Sequence, residues 1–132
     1  MSGFLGTYTV NLDEKGRLNV PSKFKNILEN KYGAQLVTVA MDGYLIVFPH
    51  LEWEKNENRM DEMAPLNPKE RDEVRPYLSS ASDCEVKSGK ILVPAFQREA
   101  VGLTKEIVLV GMSKTFEIWA ADQWKSAAAK KR

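Results

Sequence analysis

The chain has 132 residues, 43% of them hydrophobic and 28% charged, with a formal net charge of +1. Its single cysteine excludes an internal disulfide, and its single histidine excludes a metal site built on clustered histidines. No run is apolar for long enough to span a membrane, which leaves one ordinary globular domain or two very small ones.

In chain order, MSGFLGTYTV has no basic region leading into an apolar stretch, so no signal peptide is expected, and a reducing, cytoplasmic setting is the default for Cys84. A strand is expected over Thr7–Leu12, then a turn at Gly16 and a second strand over Arg17–Val20. Pro21 opens a short helix, where its missing N–H costs nothing. Phe24, Ile27, Leu28 and Lys31 fall at helical spacing and Gly33 stops the run. A hairpin turning at Asp42-Gly43 follows, then a helix carrying Trp53. Residues 50–76 hold eight acids and five bases. Asn67 and Pro68 signal a further helix start, and Pro76 is expected to break or restart that helix.

The remainder repeats this order. QLVTVAMDGYLIVFPHLEWEK, from Gln35, matches EIVLVGMSKTFEIWAADQWKS, from Glu106, without a gap at a shift of 71 residues. Val37 meets Val108, Met41 meets Met112, and Trp53 meets Trp124. KGRLNVPSKF, from Lys15, matches SGKILVPAFQ, from Ser88, at a shift of 73. Gly16 meets Gly89, Arg17 meets Lys90, and Pro21 meets Pro94. Strands over Ala81–Val86 and Lys90–Val93, a helix with Phe96, Ala100 and Val101 stopped by Gly102, a hairpin turning at Ser113-Lys114 and a helix with Trp124 are therefore expected. The division reads as a first unit at 1–54, a charged helical connection at 55–79, a second unit at 80–126 and a basic tail at 127–132. Each unit alone has little core, so the two should bury one another's apolar faces as one pseudo-two-fold α+β domain with interleaved strands. The aromatics, Met41 and Met112 are assigned to the core by their alternating positions.

Nothing in the chain supports catalysis. His50 reads as a helix start, and Cys84 falls on a strand with no histidine nearby. Gly89-Lys90 lacks both the upstream glycine and the following Ser or Thr of a phosphate-binding loop. Asp61-Glu62 and Asp72-Glu73 read as solvated helix.

The two Gly turns differ from this background. Asp13 and Arg17 lie four residues apart across a turn that Gly16 permits. The carboxylate can hold the guanidinium fork in one orientation, and a held fork presents the parallel donors that match O6 and N7 of guanine. Lys15 beside it suits a phosphate. An ion pair that only fixes the turn explains the same spacing. In the second turn Val86 stands in place of Asp13 and Lys90 in place of Arg17, with Asp83 or Glu85 as possible substitutes for the missing carboxylate. Lys87, Ser88, Gly89 and Lys90 suit phosphate contact more than base reading.

FLGTYTVNLDEKGRLNVPSKF, VKSGKILVPAFQREAVGL and VLVGMSKTFEIWAADQW, in this order and spacing, resemble the MraZ family of bacterial transcriptional regulators over nearly the whole chain. The resemblance implies two tandem AbrB-like (SpoVT-AbrB) swapped-hairpin units. The family's Asp-x-x-x-Arg signature is matched by Asp13 and Arg17 and is degenerate at Val86 and Lys90. It further implies a cytoplasmic, nucleoid-associated, ring-forming repressor-type regulator, without cofactor, metal, membrane or small-molecule substrate. Its DNA targets would be short G-rich repeats in the promoter of the division and cell-wall gene cluster that includes its own gene. A related AbrB-like antitoxin, or a ring-forming scaffold that does not read DNA, is the alternative.

Overall fold

The computed structural model describes residues 3–63 and 67–130. Its centre is a six-stranded antiparallel sheet built from β1 (Thr7–Asn11), β3 (Gln35–Ala40), β4 (Tyr44–Pro49), β5 (Ser82–Glu85), β7 (Glu106–Gly111) and β8 (Phe116–Ala120). The strand order is β1-β7-β8-β4-β3-β5. A separate two-stranded ribbon pairs β2 (Arg17–Asn19) with β6 (Lys90–Leu92). Exchanging the strands of the two repeats turns the sheet order into its own reverse, so the topology carries the two-fold relation that the sequence repeat implies. At the centre Leu45 pairs with Ile118, Ile46 with Glu117 and Val47 with Phe116. In the ribbon Leu18 pairs with Ile91. Each repeat lends its first strand to the other: β1 pairs with β7, and β5 with β3.

The interleaving follows from burial. Residues at alternate strand positions project to one face, and that face meets the ribbon, α1 (Ser22–Ile27), the π-helical turn Leu28–Tyr32 and α4 (Ala95–Ala100). Leu18, Ile91, Leu36, Leu45, Ile107 and Ile118 are fully buried there. Phe4, Phe24 and Phe116 form a triangle with ring centroids 5.0–5.2 Å apart. Aromatic groups at that separation add attraction beyond the area they bury. The repeat sets Gln97 where the first unit has Phe24. Gln97 is fully buried, accepts from the Thr38 hydroxyl and donates to the carbonyls of Thr38 and Ser80.

The other sheet face is covered unequally. Over the first half lie α2 (His50–Met63) and α3 (Pro68–Ser80), which bury Val37, Val39, Phe48 and Trp53. Over the second half lies α5 (Ala121–Lys130), whose Trp124 packs edge-on against Trp119.

The strands end one residue inside the expected limits or closer, and His50 opens α2 as expected. Asn67 caps α3 by accepting from the amides of Lys69 and Glu70. Two expectations fail. Pro76 does not break α3, which runs through it. Proline removes only the partner of the Asp72 carbonyl, and both residues are exposed, so water can serve that oxygen. The Ser80 hydroxyl meanwhile donates to the Pro76 carbonyl at 2.6 Å. Met112 and Phe96 are not core: each is 53% exposed, Met112 beside a hairpin turn and Phe96 on the outer side of α4. Met41 is half-buried. The basic tail is helical through Lys130, and Lys131 and Arg132 lie outside the described residues.

Candidate nucleic-acid interface

The ribbon sets the two Gly turns in one frame. Each precedes one of its antiparallel strands, so the turns emerge at opposite ends. Arg17 pairs with Leu92 and Lys90 with Asn19, which separates the two basic residues by two steps, roughly 7 Å along the strand direction. The frame is tied reciprocally: the Val93 amide donates to the Gly16 carbonyl, and the Val20 amide donates to the Gly89 carbonyl, each at 2.9 Å. Each turn is therefore fixed by the other repeat.

In the first turn Asp13 has two tasks. Its Oδ1 accepts from the backbone amides of Lys15 at 2.9 Å and Arg17 at 2.8 Å, which closes the turn. Its Oδ2 accepts from Arg17 Nε at 2.8 Å. The Asp13 amide also donates to the Arg17 carbonyl, and the Gly16 amide to the Asp13 carbonyl. Gly16 takes φ +87°, a left-handed conformation that suits a residue without a Cβ. The Arg17 and Asp13 side chains are 41% and 35% exposed, so their ion pair contributes little to stability. Among the described residues neither terminal amino group of Arg17 takes part in a hydrogen bond. Hydrogen bonding from the Arg17 amide, and then from its side chain and the Lys15 amide, holds the Asp13 carboxyl below its usual value.

The second turn is built differently. The amides and carbonyls of Lys87 and Lys90 exchange two hydrogen bonds of 2.9 Å around Ser88-Gly89. Ser88 and Gly89 both have positive φ, +51° and +74°, the pattern of a tight two-residue hairpin. Closure is wholly by backbone. Val86 supplies no carboxylate, and neither expected substitute takes its place. Glu85 accepts from Gln35 at 2.7 Å, and among the described residues no ion pair joins Asp83 or Glu85 to Lys90.

The structure thus brings Asp13, Lys15, Gly16 and Arg17 to one end of the ribbon and Lys87, Ser88, Gly89 and Lys90 to the other. It adds two residues that the sequence analysis passed over. Arg98 of α4 lies directly on Gly16, where a Cβ would collide with its guanidinium. Lys25 of α1 lies near Gly89, its ammonium 3.6 Å from where a Cβ would stand. At the shift of 73, Lys25 matches Arg98, each four residues after its proline, so the repeat pairs the two positions but does not place either on the opposite turn. His50 and Cys84 are elsewhere. His50 pairs with Glu54 on α2, and burial pushes the Cys84 thiol up to about 11. No group of three or more metal-ligating side chains occurs among the described residues, and none of their helices is long and apolar enough to cross a membrane.

Comparison with known proteins agrees with this architecture. The family described as "MraZ protein, putative antitoxin-like" matches residues 4–75 and 78–132. A protein of Syntrophobacter fumaroxidans named transcriptional regulator MraZ is 41% identical over 92% of this chain and 81% of its own length. Proteins of the same name from Lachnoclostridium phytofermentans and Citrobacter koseri are 40% and 38% identical, over 93% and 92% of this chain and 85% and 82% of theirs.

Proposed function

The chain belongs to the MraZ family, and from that premise we propose that it is a transcriptional regulator that binds double-stranded DNA by sequence through its two ribbon turns. The observation that carries this reading is the division of labour at Asp13. Its Oδ1 closes the first turn on backbone amides alone, so the turn does not need the Arg17 side chain. Oδ2 holds Nε, and both terminal amino groups of the fork are left for a guanine edge. Lys15, Lys87 and Lys90 contact phosphate, which fixes register without reading sequence. The protein acts without catalysis.

The finer reading follows the family resemblance: a repressor-type regulator, nucleoid-associated, acting on G-rich repeats in the promoter of the division and cell-wall gene cluster, its own gene included. A homo-oligomeric ring would let several Arg17 turns engage successive repeats, and such avidity offsets a weak single site. The unequal cover of the sheet supports a head-to-tail contact, the type of interface that closes rings. One half offers the exposed Leu51 and Leu78 of α2 and α3; the other offers Trp119 and Trp124, with Tyr44 of β4 stacked on Trp119 at the seam between the halves.

The test is fluorescence anisotropy with duplex DNA from directly upstream of the protein's own gene, intact and with its repeats scrambled, at two salt concentrations. The wild type should prefer the intact duplex, and Arg17→Ala should lose that preference at a cost of about 1–3 kcal/mol per base contact. Equal binding of both duplexes by the wild type would refute the reading.

A further inference from the structure

We infer that Arg98 is a positioning residue that clamps the first turn from the opposite repeat and so sets the aim of Arg17; this rests on the DNA-reading role proposed for that turn. Three observations meet at this side chain. The Arg98 guanidinium fills the space above Gly16 that any Cβ would claim. Its Nη1 donates to the Val93 carbonyl and approaches the Lys15 carbonyl at 3.4 Å. The Val93 amide in turn donates to the Gly16 carbonyl. One guanidinium thus ties the strand that follows the second turn to the backbone inside the first. Both contacts come from Nη1, whose two hydrogens can serve two carbonyls, while Cζ and Nε of the same rigid plane cover Gly16; an ammonium on a flexible stem has no such plane.

The second turn lacks the device. Lys25, the counterpart of Arg98, approaches Gly89 only with the end of its chain, and no hydrogen bond of Lys25 to that turn is formed among the described residues. The cross-repeat clamp therefore belongs to the turn that carries Arg17. Arg98 is half-buried against protein carbonyls, unlike the exposed Lys15 and Lys87. The geometry makes it a support for the reading loop, distinct from the phosphate contacts.

Two readouts test the clamp in the full-length protein, comparing wild type, Arg98→Met and Arg98→Lys. The first is amide hydrogen exchange without DNA. In Arg98→Met the amides of Gly16 and Arg17 should exchange about tenfold faster, while Gly89 and Lys90 keep their wild-type rates. Equal acceleration at both turns would indicate general destabilisation and overturn the inference, as would no change at the first. The second readout is binding to the upstream and scrambled duplexes over a range of salt. Arg98→Met should lower the preference for the intact duplex about tenfold while leaving the salt slope unchanged. A salt slope reduced by about one, with both duplexes weakened alike, would make Arg98 a phosphate contact and refute the clamp. Arg98→Lys keeps the charge and should recover only part of each effect; behaviour identical to wild type would show that charge alone suffices. If the wild type itself fails to discriminate, the proposed function falls, and hydrogen exchange alone still decides whether Arg98 holds the turn.

Discussion

The first and second turns hang from the same frame and spend their side chains differently. Both glycine carbonyls accept from a valine of the opposite repeat, and both glycines have positive φ. The second turn then closes by backbone alone, through the reciprocal bonds of Lys87 and Lys90. The first has one more residue between its paired ends and adds a carboxylate to its own two backbone bonds. That carboxylate has a second oxygen, and the second oxygen holds Arg17. A turn braced by a side chain as well as its backbone can organise a neighbouring side chain; one closed by its backbone alone leaves its lysines as point charges. The repeat supplies two equivalent positions, and Val86 in place of a carboxylate separates their chemistry.

The largest expected effect tests the glycines. Alanine at Gly89 must adopt a left-handed conformation, which costs about 1–2 kcal/mol, with only the tip of Lys25 nearby. Alanine at Gly16 bears the same penalty and also displaces Arg98, which adds about 1–3 kcal/mol. Urea unfolding of both variants should rank Gly16→Ala as clearly the more damaging. Equal losses would mean that the two turns are equivalent in packing.

Next comes Asp13→Asn. Asparagine keeps an oxygen for the amides of Lys15 and Arg17, so the turn should persist with little loss of stability. The charge that holds the Arg17 fork is removed, and preference for intact over scrambled repeats should fall several-fold in the anisotropy assay. The pH dependence follows from the same carboxyl. Its folded value is lowered, so its contribution is present in full above the usual value of 3.8 and is lost as pH falls through the folded value. Operator preference limited by Asp13 should therefore hold steady from neutral pH down to about 5. A decline centred near pH 6 would implicate another group.

The smallest effect is at Lys87. Lys87→Ala should weaken binding to intact and scrambled duplexes alike and reduce the salt slope by about one. A selective loss for the intact duplex would mean that the second turn also reads bases.

Much of this was legible in the sequence because it depends on repetition and turn chemistry. The shifts of 71 and 73 residues aligned both turns, both hairpins and both tryptophan helices. They also required two halves that bury each other, because neither has core enough alone. The Asp13–Arg17 contact was legible because an Asx-type turn is local. Long-range contacts were not. Arg98 reaches Gly16 from 82 positions away in the chain, and its number in the sequence gives no hint that α4 lies over the first turn. Gln97 and Phe24 occupy matched positions, yet one enters a polar network with Thr38 and the other an aromatic cluster. That choice is made by whatever stands across the core. Pro76 was misread because helix-breaking rules assume a carbonyl that must be satisfied within the protein, and the one concerned belongs to Asp72, an exposed residue that water can reach. Phe96 and Met112 were misread because apolar character alone does not fix which way a short helix or a hairpin turn presents its side chains.

The most direct test of the central claim compares Arg17→Ala with Lys90→Ala, the matched residues of the two turns, on intact and scrambled upstream duplexes under identical salt. The account predicts that Arg17→Ala reduces the ratio of the two affinities toward one, whereas Lys90→Ala lowers both affinities and leaves their ratio close to wild type. If the two variants lower the ratio equally, or if Arg17→Ala retains it, the first turn is not the reading turn and the distinction drawn here between the two repeats is wrong.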